Sequence, residues 1–169
     1  MISQPGTLNR LLLIVAIVAT GASGCSSNKA IEQTPAARKS VMVPAKRLPS
    51  IGEKAAAVAV QQVGTPYRYG GNSPRGFDCS GLVHYAYANA GKSIPRTTRA
   101  LWSSLAPIDG GRMRIGDLLF FNIEGKMSHV GLYLGKGRFV HAPSSGKVVS
   151  VEKLDSDFYR NAFIRAGRP

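Results

Sequence analysis

The stretch GFDCSGLVHYAYANAG at residues 76–91 places a single cysteine, Cys79, between an aspartate and a serine at the start of a predicted helix. Unpaired backbone N–H groups and the positive end of the helix dipole favour a thiolate there. Such positions lower a cysteine pKa from about 8.5 to roughly 3.5–7.5. The pattern is typical of an activated nucleophile. The alternative is a small buried hydrophobic residue, which the polar neighbours Asp78 and Ser80 argue against. As an N-cap, Asp78 would accept from one or two of these N–H groups, although its charge opposes a thiolate, so it is expected to cap the helix, bind substrate or do both.

A thiol nucleophile needs a base, and the chain contains three histidines. His84 falls on nearly the opposite side of the helix from Cys79, so we expect a surface residue. His129 and His141 flank a Gly-Lys-Gly turn at 135–137, which predicts an antiparallel hairpin. With a bulge, the two rings can be neighbours on one face, one facing the thiol and the other orienting the first, as in a triad. Zinc bound by Cys79, His129 and His141 is the alternative, but no CxxC, HxxxH or HExxH spacing supports a metal site.

The elements that would position these residues are three helices followed by short strands. Ser50 and Glu53 form a capping box at the start of a helix predicted over 51–63. Further helices are predicted over 79–90 and 97–105. Short β-rich runs, separated by turn residues, follow at 118–121, 129–135, 138–142, 147–154 and 161–167. This order predicts an α+β domain with N-terminal helices packed on one face of a C-terminal antiparallel β-sheet.

Residues 1–25 read as an export signal, because Arg10 precedes an apolar run of ten residues and then small residues. The run is too short to span a bilayer comfortably. ASGC at 22–25 resembles the lipobox of bacterial lipoproteins, in which the cysteine, here Cys25, becomes the lipidated N-terminal residue. Ala22 stands where leucine is usual, and an ordinary signal with an incidental cysteine is the alternative. Ser26 implies sorting to the outer membrane.

The remaining chain divides into a flexible tether at 26–50, with net charge +4, and a domain at 51–169, with net charge +8. A basic surface suits an anionic polymer or lipid surface, although simple solubility also explains it. Export argues against nucleic acid as a partner. If Cys25 carries lipid, Cys79 has no disulfide partner in a compartment where disulfides form. An unpaired thiol there favours a chemical role.

Several separate motifs occur in one order along the chain. They are GTPYRYGG at 64–71, GFDCSGLVHYAY at 76–87, IPRTT at 94–98, GDLLFF at 116–121, SHVGLYLG at 128–135 and FVHA at 139–142. Together they resemble the NlpC-type cysteine peptidases of bacterial cell walls. With the lipoprotein signal, they are similar to the lipidated murein endopeptidases of that family. The resemblance covers residues 51–166 and implies a compact papain-like fold with no cofactor.

The resemblance also assigns roles to particular residues. It implies that Cys79 is the nucleophile, His129 the general base and acid, and His141 the residue that orients His129. The residues expected to bind substrate are Tyr67, Asp78, Ser80 and Arg96. Tyr67 would assist the oxyanion or the substrate, or only pack. Arg96 would pair with a carboxylate, or serve the structure alone.

The expected reaction is hydrolysis of an amide bond in peptidoglycan, either the D-Ala–diaminopimelate cross-link or the D-Glu–diaminopimelate stem bond. Two alternatives stay open: a related papain-like amidase or acyltransferase, and a catalytically silent lipoprotein that binds the cell wall. The expected location is the bacterial cell envelope, with a lipid anchor in the outer membrane facing the periplasm. A protease adaptor that controls turnover is a further candidate partner.

Overall fold

The computed structural model describes residues 47–123 and 125–169. The predicted signal at 1–25, with Cys25, lies outside the described residues, as does the predicted tether up to residue 46. Within the described ranges, no helix combines the length and apolar character needed to cross a membrane.

Helices dominate the first half of the domain and strands the second, as the sequence predicts. The helices are α1 Ile51–Val60, α2 Cys79–Asn89, α3 Thr98–Ser104 and α4 Asp157–Ala162. The strands are β1 Asn72–Ser73, β2 Gly76–Phe77, β3 Pro107–Ile108, β4 Leu118–Ile123, β5 Lys126–Gly135, β6 Arg138–His141, β7 Ser150–Lys153 and β8 Phe163–Gly167. The sequence prediction lacks α4 and the three two-residue strands, because elements this short show too little periodicity to detect.

Strands β3 to β8 form one antiparallel sheet in the order β3-β8-β4-β5-β6-β7. The predicted hairpin is the β5–β6 pair, which turns at Gly135–Gly137 with Lys136 at a φ of 53°. Its register shifts between Tyr133 and Gly135, which supplies the bulge that the histidine spacing required. The ends of β5 and β6 that carry residues 129 and 141 therefore lie side by side.

Both faces of the sheet are buried, whereas the sequence analysis expected one. Alternate residues such as Leu118 and Phe120 pack against the first three helices. Leu119 and Phe121 belong to a second apolar cluster with Phe139 and residues of α4 and β8. A continuous apolar run such as LLFF is typical of a strand buried on both sides.

Helices α1 and α2 begin as predicted. Ser50 and Glu53 form both hydrogen bonds of a capping box, and Asp78 caps α2 by accepting from the Gly81 N–H at 2.6 Å. Helix α1 ends at Val60 instead of residue 63, and the chain continues in turns to Gly64. In α2, the apolar stripe is buried against α1 and β5. Helix α2 thus presents its first turn, with Cys79, to the sheet.

The close approach of the 68–71 loop to α2 yields a stability prediction. A Cβ on Gly81 would lie 1.9 Å from the Gly71 carbonyl oxygen and 2.9 Å from Arg96 Nη2. We expect Gly81→Ala to lower the free energy of unfolding by about 1–3 kcal/mol, although alanine is favoured over glycine in helices by about 1 kcal/mol. Gly110→Ala is the control, because its Cβ would meet open space. Urea denaturation measures both, and a stabilised Gly81→Ala protein would contradict the prediction.

Candidate active site

A cleft of about 470 Å³ opens over the start of α2. It brings together Cys79 and all four residues that the resemblance implied for substrate binding. Its walls come from the loop before β1, the first turns of α2 and α3, and the start of β5. The lining residues are Tyr67, Tyr69, Gly70, Asp78, Cys79, Ser80, Arg96, Thr97, Thr98 and Ser128.

The Cys79 thiol is partly buried at the floor of this cleft. Its Sγ lies 3.6 Å from Thr98 Oγ1 and 3.9 Å from the Ser128 carbonyl oxygen. The backbone N–H of Val130, the residue after His129, favours the charged form of the sulfur. The thiol therefore lies against the β5 backbone immediately before and after His129.

Burial raises the pKa of the Cys79 thiol, which corrects the lowered pKa expected from its place at a helix start. The Thr98 hydroxyl and the backbone N–H groups of Val130 and Ser80 lower this pKa, whereas the charge of Asp78 raises it. Desolvation is the largest of these effects, because a thiolate loses more hydration than a thiol on leaving water. The sulfur of the free protein is therefore a protonated thiol at neutral pH.

His129 and His141 form a buried pair, with exposed fractions of 5% and 1%. His129 Nε2 and His141 Nδ1 are 2.8 Å apart and share one hydrogen bond. Burial lowers the pKa of His129 to about 4. Burial, together with the charges of His129 and Lys147, lowers that of His141 to about 3. Both rings are thus neutral at pH 7. The hydrogen bond between them uses His129 Nε2, so His129 Nδ1 takes no part in it.

The third histidine, His84, is half-buried instead of lying free on the surface. Its Nδ1 is 2.9 Å from the Ile94 carbonyl oxygen, so this nitrogen donates and the ring links α2 to the chain before α3. Within residues 47–123 and 125–169, no cluster of three or more His, Cys, Asp or Glu side chains could hold a metal ion. Cys79, His129 and His141, the residues of the zinc alternative, do not form such a cluster.

Asp78, Ser80 and Arg96 form a connected ionic network on one wall of the cleft. Arg96 donates to both carboxylate oxygens of Asp78, at 3.0 and 2.9 Å, and to Ser80 Oγ at 3.0 Å. Asp78 also accepts from the backbone N–H groups of Gly70 and Gly81. The sequence analysis expected Asp78 to cap the helix, bind substrate or do both. In this structure its carboxylate holds the loop, the helix and Arg96 together.

Two tyrosines border the cleft. Burial, and then the charges of Cys79 and Asp78, raise the pKa of Tyr67, so its phenol keeps the proton and can donate to a ligand. Tyr69 is 90% exposed at the rim. The sequence analysis did not single out Tyr69 or Thr98, although both lie within quoted motifs. The position of Thr98 at the start of a predicted helix is the sequence signal that could have identified it.

The sequence and the fold of this domain are similar to those of known proteins. The family described as NlpC/P60 matches residues 64–168. The chain therefore belongs to the NlpC/P60 family. Among curated relatives, it is 42% identical over 126 residues to the murein DD-endopeptidase MepH of Escherichia coli K12, covering 69% of this chain and 46% of the relative. It is 39% identical over 114 residues to the probable endopeptidase YafL of the same organism, covering 64% of this chain and 46% of the relative.

A solved structure supports the same assignment. The NlpC/p60 domain of the peptidoglycan hydrolase SagA superposes with a TM-score of 0.61 at 35% identity, covering 70% of this chain and 98% of that domain. The chain spans about half the length of the two curated relatives it matches. The shared region is the domain that carries the cleft.

The Thr98 contact yields a prediction for thiol reactivity. Thr98→Val removes the hydroxyl that stabilises the charged sulfur, so we expect the Cys79 pKa to rise further. The pH profile of iodoacetamide alkylation should then move to higher pH. A Cys25→Ala background leaves Cys79 as the one reactive thiol. Thr98→Ser keeps the hydroxyl and is the control, and an unchanged profile in Thr98→Val would contradict the prediction.

Proposed function

We propose that this chain is a peptidoglycan endopeptidase that uses Cys79 as nucleophile, His129 as base and His141 as orienting residue. The single observation that carries the proposal is the Cys79 thiol at the floor of an open cleft, beside the β5 backbone that bears His129, whose ring is hydrogen-bonded to His141 on β6. The names of two similar proteins, a murein DD-endopeptidase and a peptidoglycan hydrolase, support this substrate class. The chemistry is amide hydrolysis.

The protonation states define how the first step would run. Cys79 starts as a thiol and His129 as a neutral imidazole, because burial opposes charge on both. His129 Nδ1 takes the thiol proton as the sulfur attacks the carbonyl carbon, so thiolate character develops during attack. The imidazolium then donates this proton to the leaving amine, and the acyl-enzyme thioester is hydrolysed by a water that His129 activates.

The start of α2 supplies donors for the developing oxyanion. The backbone N–H of Cys79 is one of the unpaired groups at a helix start, and the Tyr67 phenol lies on the same cleft wall. A donor aimed at an oxyanion contributes on the order of 3 kcal/mol to transition-state stabilisation. Outside the cleft, the basic excess of the domain suits stems that carry free carboxylates.

One alternative function uses the same site for a different reaction, and the other uses none of its chemistry. An amidase or acyltransferase would share the thiol and histidines but act on a different bond. A silent cell-wall-binding lipoprotein would leave Cys79 without a chemical role, which the buried histidine pair beside it argues against. The bond cleaved, D-Ala–diaminopimelate or D-Glu–diaminopimelate, separates a cross-link enzyme from a stem enzyme.

We also propose that Cys25 is lipidated and anchors the domain to the outer membrane on its periplasmic side. The charged, apolar and small-residue regions that precede Cys25 support this. In bacteria that process lipoproteins, the chain should fractionate with membranes and its N-terminal peptide should carry acyl chains in a mass spectrum. Cys25→Ala should release it from the membrane fraction. A wild-type chain whose Cys25 carries no lipid would refute the anchor.

The catalytic proposal predicts loss of muropeptide cleavage on removal of either reacting group. Purified full-length Cys79→Ala and His129→Ala proteins should cleave at least about a thousandfold more slowly, because each lacks the nucleophile or the base. His84→Gln, remote from the thiol on α2, is the matched histidine control and should retain activity. Defined dimeric and monomeric muropeptides, with products identified by mass, show which bond is cut.

The muropeptide assay should also show a characteristic pH dependence, and its result can contradict the catalytic proposal. Because the base must be neutral and its pKa is lowered to about 4, the acid limb of kcat/KM should lie well below pH 6.5. Normal cleavage by Cys79→Ala would end the proposal. Release of intact stems from the sugar would instead support an amidase.

A further inference from the structure

Behind the histidine pair, a row of polar groups leads away from the cleft. His141 Nε2 lies 3.3 Å from Tyr159 Oη and 3.5 Å from Ser150 Oγ. Ser150 is the cross-strand partner of His141 in the β6–β7 pair. Its hydroxyl donates to Glu152 Oε1 at 3.2 Å. Contacts therefore lead from the ring that holds His129 to a carboxylate on β7.

The two neutral rings can share their hydrogen bond in only two ways. Each neutral imidazole carries one N–H and one bare nitrogen. If His129 Nε2 donates to His141 Nδ1, then His129 Nδ1 is bare and can take a proton. If His141 Nδ1 donates instead, His129 carries its proton on Nδ1 and cannot act as a base toward the thiol.

The group at His141 Nε2 selects between these two arrangements. A serine hydroxyl has one proton, and Ser150 gives it to the Glu152 carboxylate, which can only accept. The Ser150 oxygen can then only accept from His141, which requires the proton on His141 Nε2. This leaves His141 Nδ1 bare, and His129 must donate to it. The Tyr159 hydroxyl can donate or accept, so it imposes no direction.

We propose that Glu152, acting through Ser150, is a positioning residue that sets the tautomers of His141 and His129 and keeps His129 Nδ1 free for the thiol proton. The catalytic consequence rests on the proposed function, but the tautomers do not. Lys147 is the cation that acts on His141, and burial with this charge keeps the ring neutral. The proton on Nε2 is therefore set by hydrogen bonding and not by ionisation.

The tautomers can be read directly by ¹⁵N NMR of the full-length chain labelled on histidine. At pH 8, the bare and protonated ring nitrogens have distinct shifts. His84 serves as the internal reference, because its Nδ1 donates to a carbonyl. We expect both His129 and His141 to carry the proton on Nε2, opposite to His84. A proton on Nδ1 of His129 or His141 in the wild-type chain would overturn the proposal.

Two variants should disturb this distribution of protons over the ring nitrogens. Glu152→Gln keeps the shape, but its amide can donate to Ser150 and free the serine proton for His141. Ser150→Ala leaves Tyr159 as the one hydroxyl of the described contacts at Nε2. Both should raise the His129 population protonated on Nδ1 and lower kcat about tenfold at nearly unchanged KM, the effect of a charged hydrogen bond of about 1.5 kcal/mol.

Two further variants separate this role from a merely structural one. Ser150→Thr retains the hydroxyl on a strand that tolerates threonine, and should restore both the tautomers and kcat. Asp157→Asn removes a negative charge from an exposed side chain that is paired with Arg160, and should change neither. If Glu152→Gln and Ser150→Ala both keep the wild-type tautomers and kcat, Glu152 has no such role.

The two proposals can fail separately. Wild-type chain that shows the expected tautomers but cleaves no muropeptide would refute the endopeptidase function and leave the positioning role intact. Chain that cleaves muropeptides with a proton on His129 Nδ1 would refute the positioning role alone. The His84 signal reports in every variant whether α2 keeps its contact with Ile94 and the domain is folded.

Discussion

The hydrogen bond between two buried neutral imidazoles is the constraint on which the site depends. His129 Nε2 and His141 Nδ1 meet in the buried layer between the sheet and α4, where each unpaired polar atom would cost about 1–3 kcal/mol. The bond requires β5 and β6 to pair in one register, and the shift near the turn provides it. Phe121 and Phe139 pack against the rings and contribute to their burial. The hydrogen bond between the rings therefore depends on the register of the β5–β6 pair.

Burial of this pair changes the chemistry expected of the thiol. A helix start favours a thiolate, but the sulfur is far enough inside the domain for desolvation to dominate. A thiolate beside an imidazolium would carry the desolvation cost of two buried charges, since burial raises the pKa of the thiol and lowers that of His129. A neutral thiol and a neutral imidazole avoid this cost at rest. In the proposed reaction, charge would develop only during attack, next to the donors at the start of α2.

Much of this arrangement could be predicted from the sequence because strong local signals carry it. The capping residues Ser50 and Asp78 identify two helix starts, and the Gly-Lys-Gly turn identifies the hairpin that joins His129 to His141. The second buried face escaped prediction, because α4 is only six residues long and LLFF alone does not reveal which layer covers it. Thr98 and Ser150 escaped for another reason: their contacts join distant segments, and single hydroxyl residues carry no periodic signal. The thiol pKa depended on depth of burial, which spacing does not report.

Asp78 shows how a residue next to the proposed nucleophile can serve the structure at an electrostatic cost. Its charge opposes ionisation of Cys79, so position alone would make it a poor neighbour for a thiol nucleophile. Arg96 binds both of its oxygens, and the N–H groups of Gly70 and Gly81 use the remaining acceptor capacity. These contacts compensate the charge of the carboxylate and also fix the cleft wall against α2. The carboxylate is tolerated beside the thiol because Arg96 balances its charge. The same contacts hold together the wall of the cleft in which the thiol lies.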